Sequence, residues 1–225
     1  MKKFLLLVAL VFATNNLFAE TGKELLEVTE KAMGHDKAKE FNTRRIESSM
    51  TQSGMNIGVV FYLKDDKVRV ETSFMGQEMV VVVADGACFQ LKPNYQELPF
   101  EQSQQIFAQL SMFVPNVVEF QEGIPPDNIV LVGTADFQGK PAKKVQLTEE
   151  GGETFLFIDP ITNWLLGVNM PAMGIELVYD SMKRVKGFVY PSVIKVMQGG
   201  QVVSEVNINK FEVNIDLPDS LFAKE

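Results

Sequence analysis

The sequence predicts a mainly β (α+β) protein built on one large, curved antiparallel sheet with a few helices. Three observations lead there. Short segments in which apolar and polar side chains alternate every second residue recur along most of the chain. Turn residues, chiefly glycines and the pairs Asp65-Asp66 and Asp85-Gly86, separate them at regular spacing. Helical periodicity is confined to two places, near residue 25 and near residue 105.

The first nineteen residues stand apart from this pattern. Lys2 and Lys3 form a basic start, Phe4 to Ala13 an apolar stretch, and Leu17-Phe18-Ala19 a cleavage site ending on a small residue. The apolar stretch is well short of the roughly 20 residues that cross a bilayer as a helix. Residues 1–19 are therefore expected to be a cleaved export signal leading to the periplasm. With no cysteine near the cleavage site, lipid anchoring is not expected, and residues 20–225 are expected to form a single soluble, monomeric domain. Roughly 200 residues are enough to bury a real core.

After the signal, Thr21 or Gly22 caps a first helix whose apolar positions are Leu25, Leu26, Val28 and Met33, with Gly34 as its stop. A short helical piece over residues 36–41 follows. Strands are then expected over 44–53 and 55–63, joined near Gly54. In the second, Met55, Ile57, Val59, Phe61 and Leu63 form a strongly apolar face. Asp65-Asp66 turns into a strand over 67–75, and Gly76 turns into the Met79 to Val83 run. Asp85-Gly86 makes a hairpin with the strand through Phe89 and Leu91, because glycine supplies the positive φ of a tight turn. Pro99 opens an amphipathic helix to Phe113, on which Ile106, Phe107, Leu110 and Phe113 share a face. That face is buried either permanently as core or reversibly as a lid. A proline-bearing loop over 114–127 precedes further strands over 128–133, 140–148, 153–158, 164–170, 175–179, 187–197 and 202–213. Roughly ten or eleven strands in one antiparallel sheet result.

Catalytic chemistry is hard to find. The sole histidine, His35, follows a helix stop and is expected in a solvent-facing loop. The sole cysteine, Cys88, lies within a strand with no basic neighbour in sequence and is expected to be a buried apolar residue. A lone His with a lone Cys makes no usual zinc site, and no metalloprotease, hydrolase-elbow, phosphate-loop or dinucleotide motif occurs. The pairs Asp65-Asp66 and Glu149-Glu150 fall at turns, where they are most simply solvated. Neither an enzyme nor a cofactor or metal is expected. Loss of Lys2 and Lys3 takes the formal charge from −8 to −10, which disfavours nucleic acid and anionic headgroups as partners.

The unusual feature is the soft apolar inventory: 10 Met and 14 Phe remain after residue 19. A large sheet needs a large core, and that is one account. The other is an adaptable apolar surface, which methionine suits. A sheet of this many strands curls, and two helices cannot fill its concavity as a second sheet would. An apolar concavity with partial cover is the general form of a hydrophobic ligand site.

The order of elements resembles that of the LolA-like family, the periplasmic carriers that sort outer-membrane lipoproteins. The resemblance runs through the helix ending at Gly34, Lys67-Val68-Arg69-Val70-Glu71, the Gly76 turn, Asp85-Gly86 and Leu91-Lys92-Pro93 ahead of a helix. It continues in Phe157-Ile158-Asp159, Gly187-Phe188-Val189-Tyr190-Pro191-Ser192-Val193-Ile194, Phe211-Glu212-Val213-Asn214 and Asp219-Ser220-Leu221-Phe222. It implies an incomplete β-barrel closed by helices, with acyl chains bound on its concave face. The family's carrier has an arginine followed by proline at the end of the strand corresponding to 55–63, a feature that matters for passing cargo on. Lys64-Asp65-Asp66 stands there instead, so cargo handover is not carried over.

The expected ligand is a lipid or lipoprotein acyl chain. The expected groove comprises Val59, Phe61, Val70, Phe74, Met79, Val81, Phe89, the helix residues Phe107 and Leu110, and Trp164 and Leu166. The alternative is a sensor or interaction protein that uses the same fold to contact an envelope protein partner.

Overall fold

The structure is a computed structural model and describes residues 21–99, 101, 102, 104, 106 and 123–224. Two meanders make it up. The first holds β1 (Thr43–Gln52), β2 (Met55–Lys64), β3 (Lys67–Phe74), β4 (Gln77–Ala84), β5 (Ala87–Lys92) and β6 (Gln96–Leu98). The second holds β7 (Ile129–Phe137), β8 (Lys140–Glu149), β9 (Gly152–Ile158), β10 (Leu165–Met170), β11 (Ile175–Val185), β12 (Phe188–Gln198) and β13 (Gln201–Val213). Pairing of β1 with β13, from Arg44 opposite Val213 to Gln52 opposite Ser204, joins them into one 13-stranded antiparallel sheet in the order β6-β5-β4-β3-β2-β1-β13-β12-β11-β10-β9-β8-β7. The sheet is open and curved, not closed into a barrel.

The thirteen strands exceed the ten or eleven expected, and three strand expectations needed correction. β7, expected to stop at Gly133, continues past a register shift there to Phe137. Gln96–Leu98 forms β6, a three-residue strand too short to show alternation. β11 continues past Tyr179 to Val185: its charged residues Asp180, Lys183 and Arg184 break the apolar run, while Met182 and Val185 still pack into the core.

α1 (Gly22–Met33) lies across the inner face of the second meander. Thr21 accepts a hydrogen bond from the Glu24 amide at 3.1 Å and donates its own amide to Glu24 Oε2 at 2.8 Å, a capping box that satisfies two open donors. These bonds hold the Glu24 carboxyl below the ordinary glutamate range. At the other end Gly34 takes the left-handed conformation, φ 73°, and its amide donates to the Glu30 and Lys31 carbonyls. Leu25, Leu26 and Met33 are fully buried.

α2 (His35–Ala38) follows at once. Here the expectation of a solvent-facing His35 is corrected: the residue is 4% exposed, its ring tilted against Phe188 at 5.6 Å between centroids. A Cβ on Gly34 would lie 2.3 Å from the Gly187 carbonyl oxygen, so glycine there allows the backbones to touch and brings His35 onto β12.

Among the described residues three apolar clusters hold the sheet. The largest fills the inner face, from α1 and β7 through β12, β13 and β1 to β5. A second lies on the outer face of β4 and β5, where Val80, Val82 and Phe89 pack under Leu217 and Phe222 of the C-terminal segment. A third joins Phe137, Ala142, Phe157 and Leu166 on the outer face of β7 to β10, with Phe137 and Phe157 stacked at 4.2 Å.

Candidate ligand groove

Cross-strand register assembles the inner face of the first meander row by row. Ile46 pairs with Phe61, Phe61 with Val70, and Val70 with Val81. One row nearer the 53–54 turn, Ser48 pairs with Val59, Val59 with Thr72, and Thr72 with Met79. In an antiparallel sheet residues directly opposite one another share a face, so Val59, Phe61, Val70, Met79 and Val81 are brought together. Phe74 joins them by alternation from Val70 and Thr72. Phe61 is 1% exposed whereas Met79 is 43% exposed, so the face is closed at its centre and open toward the 75–76 turn.

Trp164 also packs on the inner cluster, but within the second meander. Two expected members lie on the other side of the sheet. The two-residue turn at Asp85-Gly86 pairs Ala84 with Ala87, hence Val83 with Cys88 and Val82 with Phe89. Cys88 therefore points inward and Phe89 outward into the second cluster. Leu166 packs outward with Phe157 because alternation does not run back to Trp164, which precedes β10 in a loop. That loop is held by the Asp159 amide donating to the Trp164 carbonyl at 2.9 Å. Phe107 and Leu110 lie outside the described residues. Of the helix expected over 99–113, Pro99, Glu101, Gln102, Gln104 and Ile106 are described; Pro99 stands just before the helix, the other four are helical, and Ile106 packs against the inner cluster.

Residues absent from the expected set complete the face: Ile57, Leu63, Val68, Val83, Cys88 and Leu98. Counting pairs outward from each two-residue turn finds most of them in the sequence. Leu98 needs β6, which the sequence does not signal.

The polar groups of this face are few. The Ser48 hydroxyl donates to the Val59 carbonyl at 3.1 Å, which neutralises it. Tyr179 is fully enclosed on β11; its hydroxyl has no hydrogen-bond partner among the described residues, and burial pushes its pKa well up. Burial likewise raises the Cys88 thiol, which favours the unreactive protonated form. Among the described residues no three His, Cys, Asp or Glu side chains converge as a metal site would require. By contrast, the outer-face hollow of about 510 Å³ above Gly58 is lined by Glu47, Glu71, Glu78 and Lys92, a charged setting unsuited to acyl chains.

An open antiparallel sheet, curved around one helix and apolar on its inner face, defines a LolA-like fold, and the comparisons with known proteins agree. A LolA superfamily protein from Nitrosomonas europaea superposes with a TM-score of 0.52 at 9% identity, covering 92% of this chain and 99% of that one. A DUF1329 family protein from Desulfovibrio piger ATCC 29098 does so with a TM-score of 0.54 at 12% identity, covering 91% of this chain and 98% of that one. No family model and no curated protein matches the chain.

Proposed function

We propose that this protein is an exported, non-enzymatic carrier or binding protein of the periplasm, similar to the lipoprotein-sorting carriers, that holds lipid or lipoprotein acyl chains against the inner face of its sheet. One observation carries the reading: the apolar row Phe61-Val70-Val81, with Val59 and Met79 either side of Thr72 in the next row, shares the inner face of the curved sheet, closed at Phe61 and open at Met79. A flexible apolar chain fits such a surface, since it needs contact area and few directional groups. Ser48 supports the reading because its hydroxyl is already satisfied.

The test is extraction and mass spectrometry of lipids from gently purified protein, together with titration of a fluorescent fatty acid. Co-purified lipid and saturable probe binding are expected, and Met79→Asp should weaken the probe about ten-fold or more with little loss of stability, because Met79 is already half open to water. Absence of both lipid and probe binding defeats the proposal. Recovery of one stoichiometric envelope protein irrespective of lipid would favour the interaction-protein alternative instead.

A further inference from the structure

Antiparallel pairing sends alternate turns to opposite ends of the sheet, and the two ends differ in chemistry. At one end stand six turns among the described residues; the four in the middle are the tips of β3–β4 at 75–76, β1–β2 at 53–54, β12–β13 at 199–200 and β10–β11 at 171–174, flanked by the β5–β6 turn at 93–95 and the β8–β9 turn at 150–151. Each of the four tips carries exposed apolar side chains: Met75 at 85% exposure, Met55, Val202 with Val203, and Met173 at 63%. The stretches 50–57, 72–79, 168–176 and 196–204 contain no Lys or Arg. Their two carboxylates are engaged, Glu78 by Lys92 at 2.8 Å and Glu176 by Gln138 at 2.6 Å and Asn169 at 3.1 Å. The turns of the opposite end carry Asp65, Asp66, Asp85, Asp159 and Lys186, with Ile161 as an exposed aliphatic.

Among the described residues, no heavy atom lies within 4 Å of where a Cβ would sit on Gly54, Gly76, Gly174, Gly199 or Gly200. Turn chemistry does not explain Met75, which holds φ 50°, a left-handed position that favours Asn, Asp or Gly. Register staggers the tips in one direction: Gly58 pairs with Ser73, Gln52 with Ser204 and Ile175 with Gln198, so each successive tip reaches further along its strands. Such a stagger accompanies the tilt of strands in a sheet that curls toward a barrel.

We propose that this methionine-tipped rim docks on the surface of a zwitterionic lipid bilayer. The four tips carry no cation of their own, and the lysines beside them are engaged, Lys92 with Glu78 at 2.8 Å and Lys144 over the Phe155 ring at 3.8 Å, while Glu149, Glu150 and Glu153 on the adjoining β8–β9 turn repel anionic headgroups. Successive tips are two strands apart, roughly 10 Å. Separate apolar tips with Gln, Ser and Gly between them suit insertion among headgroups better than burial against one rigid protein surface. Met79 and Phe74 lead from this rim to the inner face, so the docked rim would place the groove mouth at the membrane. That last clause rests on the acyl-chain reading; the docking itself does not.

The experiment is co-flotation of the purified protein with phosphatidylcholine vesicles, with and without phosphatidylglycerol, alongside the double variant Met75→Glu/Met173→Glu. Flotation with pure phosphatidylcholine is expected, lowered about ten-fold or more in the variant, with thermal stability and fatty-acid probe binding unchanged. Failure to float, flotation that needs the anionic lipid, flotation the variant leaves intact, or a dimer that the variant dissolves would each overturn the proposal. Flotation without probe binding would leave the rim standing and remove the groove.

Discussion

Gly34 illustrates how one residue can serve two levels of structure. As a helix stop it was legible, because glycine after a run of helical periodicity signals the left-handed cap. Its second role was not: the space a Cβ would need is taken by the Gly187 carbonyl, a residue far away in sequence. Gly54 shares the positive φ, 76° against 73°, but has open space around it. Gly54→Ala should therefore show only the backbone cost, about 1 kcal/mol, while Gly34→Ala should lose distinctly more, on the order of 3 kcal/mol. Urea denaturation with unchanged m-values would measure the difference. Phe89 and Cys88 show the converse case. Their faces follow from arithmetic across the Asp85-Gly86 turn, and reading Phe89 inward put a large aromatic on the wrong side by one residue.

At the scale of elements, the C-terminal segment has a position that its sequence alone does not reveal. Leu217 and Phe222 seal the outer cluster over Val80, Val82 and Phe89. The segment is fastened by Lys64 Nζ donating to the Leu217 carbonyl at 2.9 Å and by Arg69 Nη1 donating to the Leu221 carbonyl at 3.0 Å. Lys64 also pairs with Asp219 at 2.9 Å, which holds that carboxyl below the usual aspartate range. Lys64 is thus committed to fastening the C-terminal segment. Phe222→Ala should destabilise by about 3 kcal/mol through lost burial and the cavity left behind, read from the shift of the urea midpoint, and should expose surface that binds a hydrophobic dye. Strand interiors with strict alternation, such as β2 and β3, were legible because one face is buried and the other is not. β11 was cut short because its outer residues carry charge and interrupt the apolar run.

At the scale of the whole molecule, the seam between β1 and β13 decides whether the two meanders behave as one body. Its register is continuous over most of both strands, with a shift between Glu47 and Ser48. The single tryptophan, Trp164, reports on the second meander, whereas far-ultraviolet circular dichroism reports on the entire sheet. The two probes should follow one coincident transition in urea, since α1 from the chain's start packs on β7 and β12 and ties the start of the chain to its second half. A tryptophan transition displaced from the dichroism curve would mean that the meanders unfold separately.

By itself the sequence determined the local quantities: which runs alternate, where the two-residue turns fall, the cap and stop of α1, and the scarcity of catalytic side chains. These depend on neighbours within a few positions, where side-chain periodicity and backbone preference act. Tertiary structure alone decided what depends on distant chain segments meeting. It closed β1 onto β13, buried His35 against Phe188, covered Phe89 with Phe222, and lined up the apolar tips of four hairpins along one edge. Residues far apart in sequence share those places because strand pairing and curvature, which no local pattern encodes, put them there.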